Sequence, residues 1–94
     1  MAVLMVIYDI SDDQVRNMVS SKLLKLGFTR VQKSVYVRRG TSGVSRYVYR
    51  AISKYLDPVR DRLLVLSIDE REYLSALSLG PKVVGDSHGR NIII

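Results

Sequence analysis

The sequence contains no cysteine and a single histidine, His88. Disulfides, thiol catalysis and zinc fingers are therefore excluded. One histidine assembles neither a Ser-His-Asp triad nor a paired-histidine mechanism within one chain. No Gly-rich phosphate loop and no dinucleotide fingerprint is present. The aromatic pattern of RNA-recognition modules is missing as well. There is no long apolar run: Ala2–Tyr8 is too short to span a membrane and is cut off by Asp9. It has no basic flank in front of it and does not read as a secretory signal. These absences fit a reducing interior and lead to the expectation of a cytoplasmic protein with no membrane partner.

The most telling absence is of negative charge. Between Gln14 and Leu56 there is not one acid. The same stretch holds ten basic residues: Arg16, Lys22, Lys25, Arg30, Lys33, Arg38, Arg39, Arg46, Arg50 and Lys54. The net charge of the chain is +6. An isolated basic run is usually just a solvated surface. Ten charges without a counter-charge attract a polyanion, and they make DNA or RNA the expected partner.

What is present reads as one small α/β domain. Ninety-four residues give one domain, 1–94, with 80–94 as a C-terminal extension. Val3–Asp9 is a short apolar run rich in Val, Ile and Leu, which predicts a strand. Val3, Met5 and Ile7 face one way, and Leu4, Val6 and Tyr8 the other, so both faces call for cover. Ser11-Asp12-Asp13-Gln14 reads as a capping box with Ser11 as the cap. Val15, Met18, Val19, Leu23 and Leu26 then form a helical stripe that Gly27 stops. Thr29–Arg38 alternates as a strand, with a break near Lys33-Ser34. Arg39–Gly43 reads as a flexible basic loop, and Val44–Leu56 as a second helix ended by Asp57-Pro58. Arg62–Ile68 is a further strand, Asp69–Leu79 a turn or short helix, and Lys82–Val84 a last extended segment before Asn91–Ile94.

The order β-α-β(-β)-α-β is that of the ferredoxin-like split βαβ sandwich, an α+β fold with an antiparallel sheet and two helices on one face. The other sheet face is apolar too, and a second subunit related by a two-fold axis is its simplest cover.

Asp9 is the sharpest chemical candidate. It ends a buried strand just before a helix, where functional groups commonly sit. A carboxylate there suits Mg²⁺, a hard ion that takes oxygen ligands and keeps several waters. One carboxylate makes a poor site; two, meeting across a two-fold axis, make a better one. The residues alone leave open that Asp9 simply turns the chain before Ser11. Tyr8 either packs in the core or presents its hydroxyl. Arg16, one turn into the helix, is placed to neutralise a phosphate near Asp9. Arg46, Arg50 and Lys54 lie four apart, opposite the apolar stripe. With Arg38 and Arg39 they form a ridge suited to a phosphate backbone. Tyr47 and Tyr49 are candidates for stacking on bases, or for packing.

Two blocks resemble the second CRISPR-associated protein family. The first is the apolar strand ending Tyr8-Asp9-Ile10, followed by Ser11-Asp12-Asp13 and Arg16-Asn17. The second is Gly27-Phe28-Thr29-Arg30-Val31-Gln32-Lys33-Ser34-Val35-Tyr36. Met18 stands where some members carry a second arginine, and Arg38-Arg39 where many carry an acidic or glycine-rich turn. The resemblance implies a ferredoxin-like homodimer whose sheets face each other, with the C-terminal strand reaching onto the partner. It implies a divalent metal, Mg²⁺, between two copies of Asp9. It implies a metal-dependent endonuclease acting on RNA or DNA, with Tyr8, Arg16, Arg30 and Tyr36 accessory. It also implies a scaffold role in spacer acquisition, in which the dimer bridges CRISPR integrase subunits.

Overall fold

The computed structural model describes residues 2–80, 83–85 and 91–93. Strand β1 (Ala2–Asp9) leads into helix α1 (Asp13–Lys25), then β2 (Thr29–Gln32), β3 (Val35–Gly40), α2 (Ser42–Ser53) and β4 (Arg62–Asp69). A short helix α3 (Glu70–Leu74) and two short strands, β5 (Val83–Gly85) and β6 (Asn91–Ile93), complete the described chain. The main sheet has the order β2-β3-β1-β4, with every neighbouring pair antiparallel. This is the ferredoxin-like arrangement expected from the element order, with two interlocked split βαβ units. β5 and β6 pair as a separate antiparallel ribbon, and β5 lies beside β2 and β3 of its own chain. His88 and its neighbours 86–90 lie outside the described residues, as do Lys82 and Ile94. No helix among the described residues is long and apolar enough to cross a membrane.

The core lies between the sheet and the helices α1 and α2. Leu4, Val6 and Tyr8 of β1 meet Tyr36 of β3, Val19 and Leu23 of α1, and Val48 and Ile52 of α2. Each fully buried aliphatic chain of this kind contributes about 1.5–3 kcal/mol by leaving water. Gly27, with φ of 88°, takes the left-handed turn that releases the chain from α1 into β2. Gly40 serves a close approach: a Cβ there would stand 2.8 Å from the Leu4 side chain, itself fully buried.

Three local expectations are corrected. The cap of α1 is Asp12, not Ser11: the Asp12 carboxylate accepts from the Val15 amide at 3.0 Å. Ser11 is held elsewhere, its amide donating to Asp61 at 3.0 Å and its hydroxyl to the Arg60 carbonyl. Arg39 and Gly40 are not loop but strand, because they pair with Val3 and Ala2 of β1. α2 accordingly begins at Ser42, two residues before the predicted start.

The second sheet face is covered in part by the chain itself. α3 follows directly from the end of β4, where Asp69 pairs with Ala2. It lays Tyr73 over Val3 and Val37. That end of the face is therefore closed by the chain itself. The remainder is covered less completely: Met5, Ile7, Val31 and Val35 are half-buried and, with Tyr73 and residues 76–79, line a groove of about 530 Å³. Leu64 of β4, paired with Ile7, is 55% exposed.

Candidate functional site

Asp9 sits at the open end of this second face. Side chains alternate along a strand, so Asp9 follows Val3, Met5 and Ile7, while Tyr8 turns into the helix-side core. The carboxylate is exposed and has no hydrogen-bond or ion-pair partner among the described residues. In the antiparallel register Asp9 stands opposite Arg62, and Ile7 opposite Leu64. These residues line a shallow hollow of about 300 Å³. Arg62 was not singled out from sequence. The split βαβ order could have found it, because it requires the first residue of β4 to meet the last of β1.

Tyr8 is brought into a different cluster. Its ring stacks on Tyr36 with centroids 5.9 Å apart, and its hydroxyl donates to the Tyr36 hydroxyl at a long 3.5 Å. Ser20 Oγ and the Tyr36 hydroxyl share a 2.5 Å hydrogen bond, so α1 and β3 are tied through the same oxygen. Burial raises the Tyr8 pKa, and the Tyr36 hydrogen bond raises it further. The charges of Arg30 and Arg16 pull the other way. Tyr8 is thus a neutral, buried phenol on the opposite side of β1 from Asp9.

The basic residues fall into separate groups rather than one ridge. Arg16 donates to the Ile10 carbonyl at 3.0 Å and pairs with Asp13, so it braces the turn after Asp9. Arg38 donates to the Leu26 carbonyl at 2.6 Å, just past the end of α1, where a cation suits the helix dipole. Arg39 pairs with Glu70 at the start of α3. Of the expected ridge of Arg38 and Arg39 with Arg46, Arg50 and Lys54, two members, Arg38 and Arg39, are engaged with the fold. Lys54 lies 5.2 Å from the Tyr55 ring, and Lys22 approaches the same ring and donates to its hydroxyl at 3.3 Å. The Lys22 hydrogen bond and charge lower the Tyr55 pKa, with Lys54 adding to the effect. Arg30, Arg46 and Arg50 remain exposed, with no ion pair among the described residues.

One further carboxylate shapes the site. Asp61 accepts from the Ser11 amide at 3.0 Å and the Asp57 amide at 2.9 Å. These two backbone donors lower its pKa. Asp61 thereby ties the turn that follows Asp9 to the loop between α2 and β4.

Metal binding can be tested on this donor set. Among the described residues no three His, Asp or Glu side chains converge on one point. At this strand end the described residues offer the Asp9 carboxylate. Mg²⁺ is commonly held by one or two carboxylates plus water and substrate phosphate, so the residues fit a site built from two copies of Asp9.

Comparisons with known proteins agree with the fold. Residues 1–76 match the family model for the CRISPR associated protein Cas2. The CRISPR-associated endoribonuclease Cas2 of Aeropyrum pernix is 33% identical over 94 residues, covering 100% of this chain and 99% of that protein. The endoribonuclease Cas2 2 of Pyrobaculum aerophilum is 29% identical over 76 residues, covering 81% of this chain and 84% of the relative. Among solved structures, the hypothetical protein TT1823 of Thermus thermophilus superposes with a TM-score of 0.70 at 27% identity, covering 86% of this chain and 95% of that one. Streptococcus pyogenes Cas2 gives 0.68 at 18% identity over 83% of this chain and 99% of its own, a likeness of fold. With the order of strands, the two sequence blocks and the family match in agreement, the chain belongs to the CRISPR-associated protein Cas2 family.

Proposed function

We propose that the protein is a cytoplasmic, homodimeric, Mg²⁺-dependent endonuclease of CRISPR spacer acquisition, with RNA as a substrate. The observation that carries this reading is the position of Asp9. It is an exposed carboxylate, unpaired among the described residues, at the rim of an apolar face whose Met5, Ile7, Val31 and Val35 are only half-buried. Stacking a second copy on that face buries Ile7, Leu64 and their neighbours, and a two-fold axis near the strand end sets Asp9 against the partner's Asp9. The C-terminal strand extending onto the partner's sheet belongs to the same proposal. The names of the Aeropyrum and Pyrobaculum relatives support the endoribonuclease assignment.

In this reading the two Asp9 carboxylates would hold a divalent cation, which would supply phosphate neutralisation and water activation for phosphodiester hydrolysis. Arg62, opposite Asp9 in register, supplies a cation for orienting a phosphate. Arg16 acts indirectly, by bracing the Ile10 carbonyl, and Asp61 by holding Ser11. Tyr8 acts as a buried support for β1. Asp9→Ala should abolish cleavage of RNA in added Mg²⁺. Cleavage at the wild-type rate by the variant would overturn the catalytic assignment.

A second reading is favoured by the free charge on α2. Arg46 and Arg50 are exposed on the helix layer, away from Asp9, where they can hold a phosphate backbone. In that role the dimer is a nucleic-acid scaffold bridging the CRISPR integrase. Asp9→Ala would then leave binding intact, and affinity would fall steeply with salt.

A further inference from the structure

The outer side of α2 carries a second, independent recognition feature. Tyr49 is 51% exposed and Tyr47 is 61% exposed, large rings left in water on a helix that buries Val48 and Ile52. The two are two residues apart, so they project from opposite flanks of the helix. Only Tyr49 faces β4. There it lines a groove of about 410 Å³ together with Ser45, Arg46, Arg50 and Val65. Its ring also borders an adjoining hollow of about 380 Å³ that includes Leu56, Pro58 and Leu63. β4 is the edge strand of the main sheet, so its outer amides and carbonyls are unpaired by any described strand.

From these features we infer that the α2–β4 groove binds single-stranded nucleic acid, with an unpaired base stacked on Tyr49 and its phosphates held by Arg46 and Arg50. Charge gives the direction. Arg46 and Arg50 flank Tyr49 on one side, and α2 contains no acid. Asp57 and Asp61 stand beyond Tyr49 on the other side. The backbone is drawn to the arginine end and repelled from the aspartates. Those carboxylates already accept from the amides of Val59, Ser11 and Asp57, so they do not compete for the base. Base stacking is tolerant of sequence, which suits a general nucleic-acid handler. The groove lies on the helix side of the sheet, opposite the face assigned to the two-fold contact. The inference shares the nucleic-acid reading above but needs neither the metal nor cleavage.

The test uses the full chain carrying Asp9→Ala, in chelator, so that loss of nuclease function and loss of groove binding are read separately. Fluorescein-labelled oligothymidylate and oligouridylate, each about ten nucleotides long, report affinity by anisotropy and distinguish DNA from RNA. Tyr49→Ala should weaken binding roughly tenfold, while Tyr47→Ala leaves it within about twofold. Arg46→Gln with Arg50→Gln should weaken binding and flatten its salt dependence. A 5-iodouracil oligomer should photo-crosslink to Tyr49 in the otherwise unaltered chain. Equal losses for the two tyrosines, a cross-link only outside the α2–β4 groove, or duplex binding as tight as single-strand binding would each overturn the inference.

Discussion

The two faces of the main sheet differ in what covers them. On the helix face, α1 and α2 bury Leu4, Val6 and Tyr8 together with Tyr36, and even the polar atoms there find partners. On the other face one five-residue helix covers Val3 and Val37, and the strand ends carrying Ile7, Asp9 and Leu64 stay open. Both faces are built from the same strands and the same kinds of residue. Chain length decides the contrast. α1 and α2 have 13 and 12 residues, enough to cross the sheet. α3 is five residues long and begins where β4 ends, beside Ala2. Stability therefore resides mainly on one face, while Asp9 and the exposed strand end of Leu64 lie on the other.

The largest expected effect is on the closed face. Leu4→Ala or Leu23→Ala should cost about 2–5 kcal/mol in chemical denaturation, because both side chains are fully buried. Leu64→Ala, on the open face, should change the stability of the isolated chain by less than about 0.5 kcal/mol. Equal costs would erase the distinction between the faces. Next in size is association. Leu64→Glu should convert a dimer to monomer in sedimentation velocity at micromolar concentration without altering the circular dichroism spectrum. An unchanged sedimentation coefficient would mean that copies do not meet on this face.

Smaller effects probe the polar ties. Tyr36→Phe removes the oxygen shared by Ser20 and Tyr8 and should cost about 1 kcal/mol, read as a lower denaturation midpoint. Asp61→Asn should lower the melting temperature at neutral pH, and the gap to wild type should close in acid. The sign follows from the lowered pKa: the ionised carboxylate is the form the Ser11 and Asp57 amides favour. Its contribution is complete well above the ordinary value of 3.8 and is lost as pH falls through the lowered one. A gap that widens in acid would contradict this role.

Much of this architecture is legible in the sequence. The apolar alternation of β1 announces a strand covered on both faces, and the stripe from Val15 to Leu26 with its Gly27 stop announces α1. The break at Lys33-Ser34 between β2 and β3 follows from the change of pattern there. What was hidden depends on partners distant in sequence. Ser11 is a good local cap but is drawn to Arg60 and Asp61, about fifty residues on, leaving the cap to Asp12. Arg39 looks like part of an uncompensated basic loop until Glu70 comes beside it. Arg38 looks like a phosphate ligand until the Leu26 carbonyl takes it. Charge counted along the chain overstates free charge because tertiary pairing is invisible there. Asp9 was legible as a candidate, whereas its neighbour Arg62 becomes visible only when β4 is laid against β1.

The claim that the open face joins two copies of Asp9 around one cation is tested most directly by Mn²⁺ binding. The ion substitutes for Mg²⁺ and is counted by electron paramagnetic resonance. Wild type should bind about one ion per two chains, and Asp9→Ala none. One ion per chain, or undiminished binding by Asp9→Ala, would contradict the account.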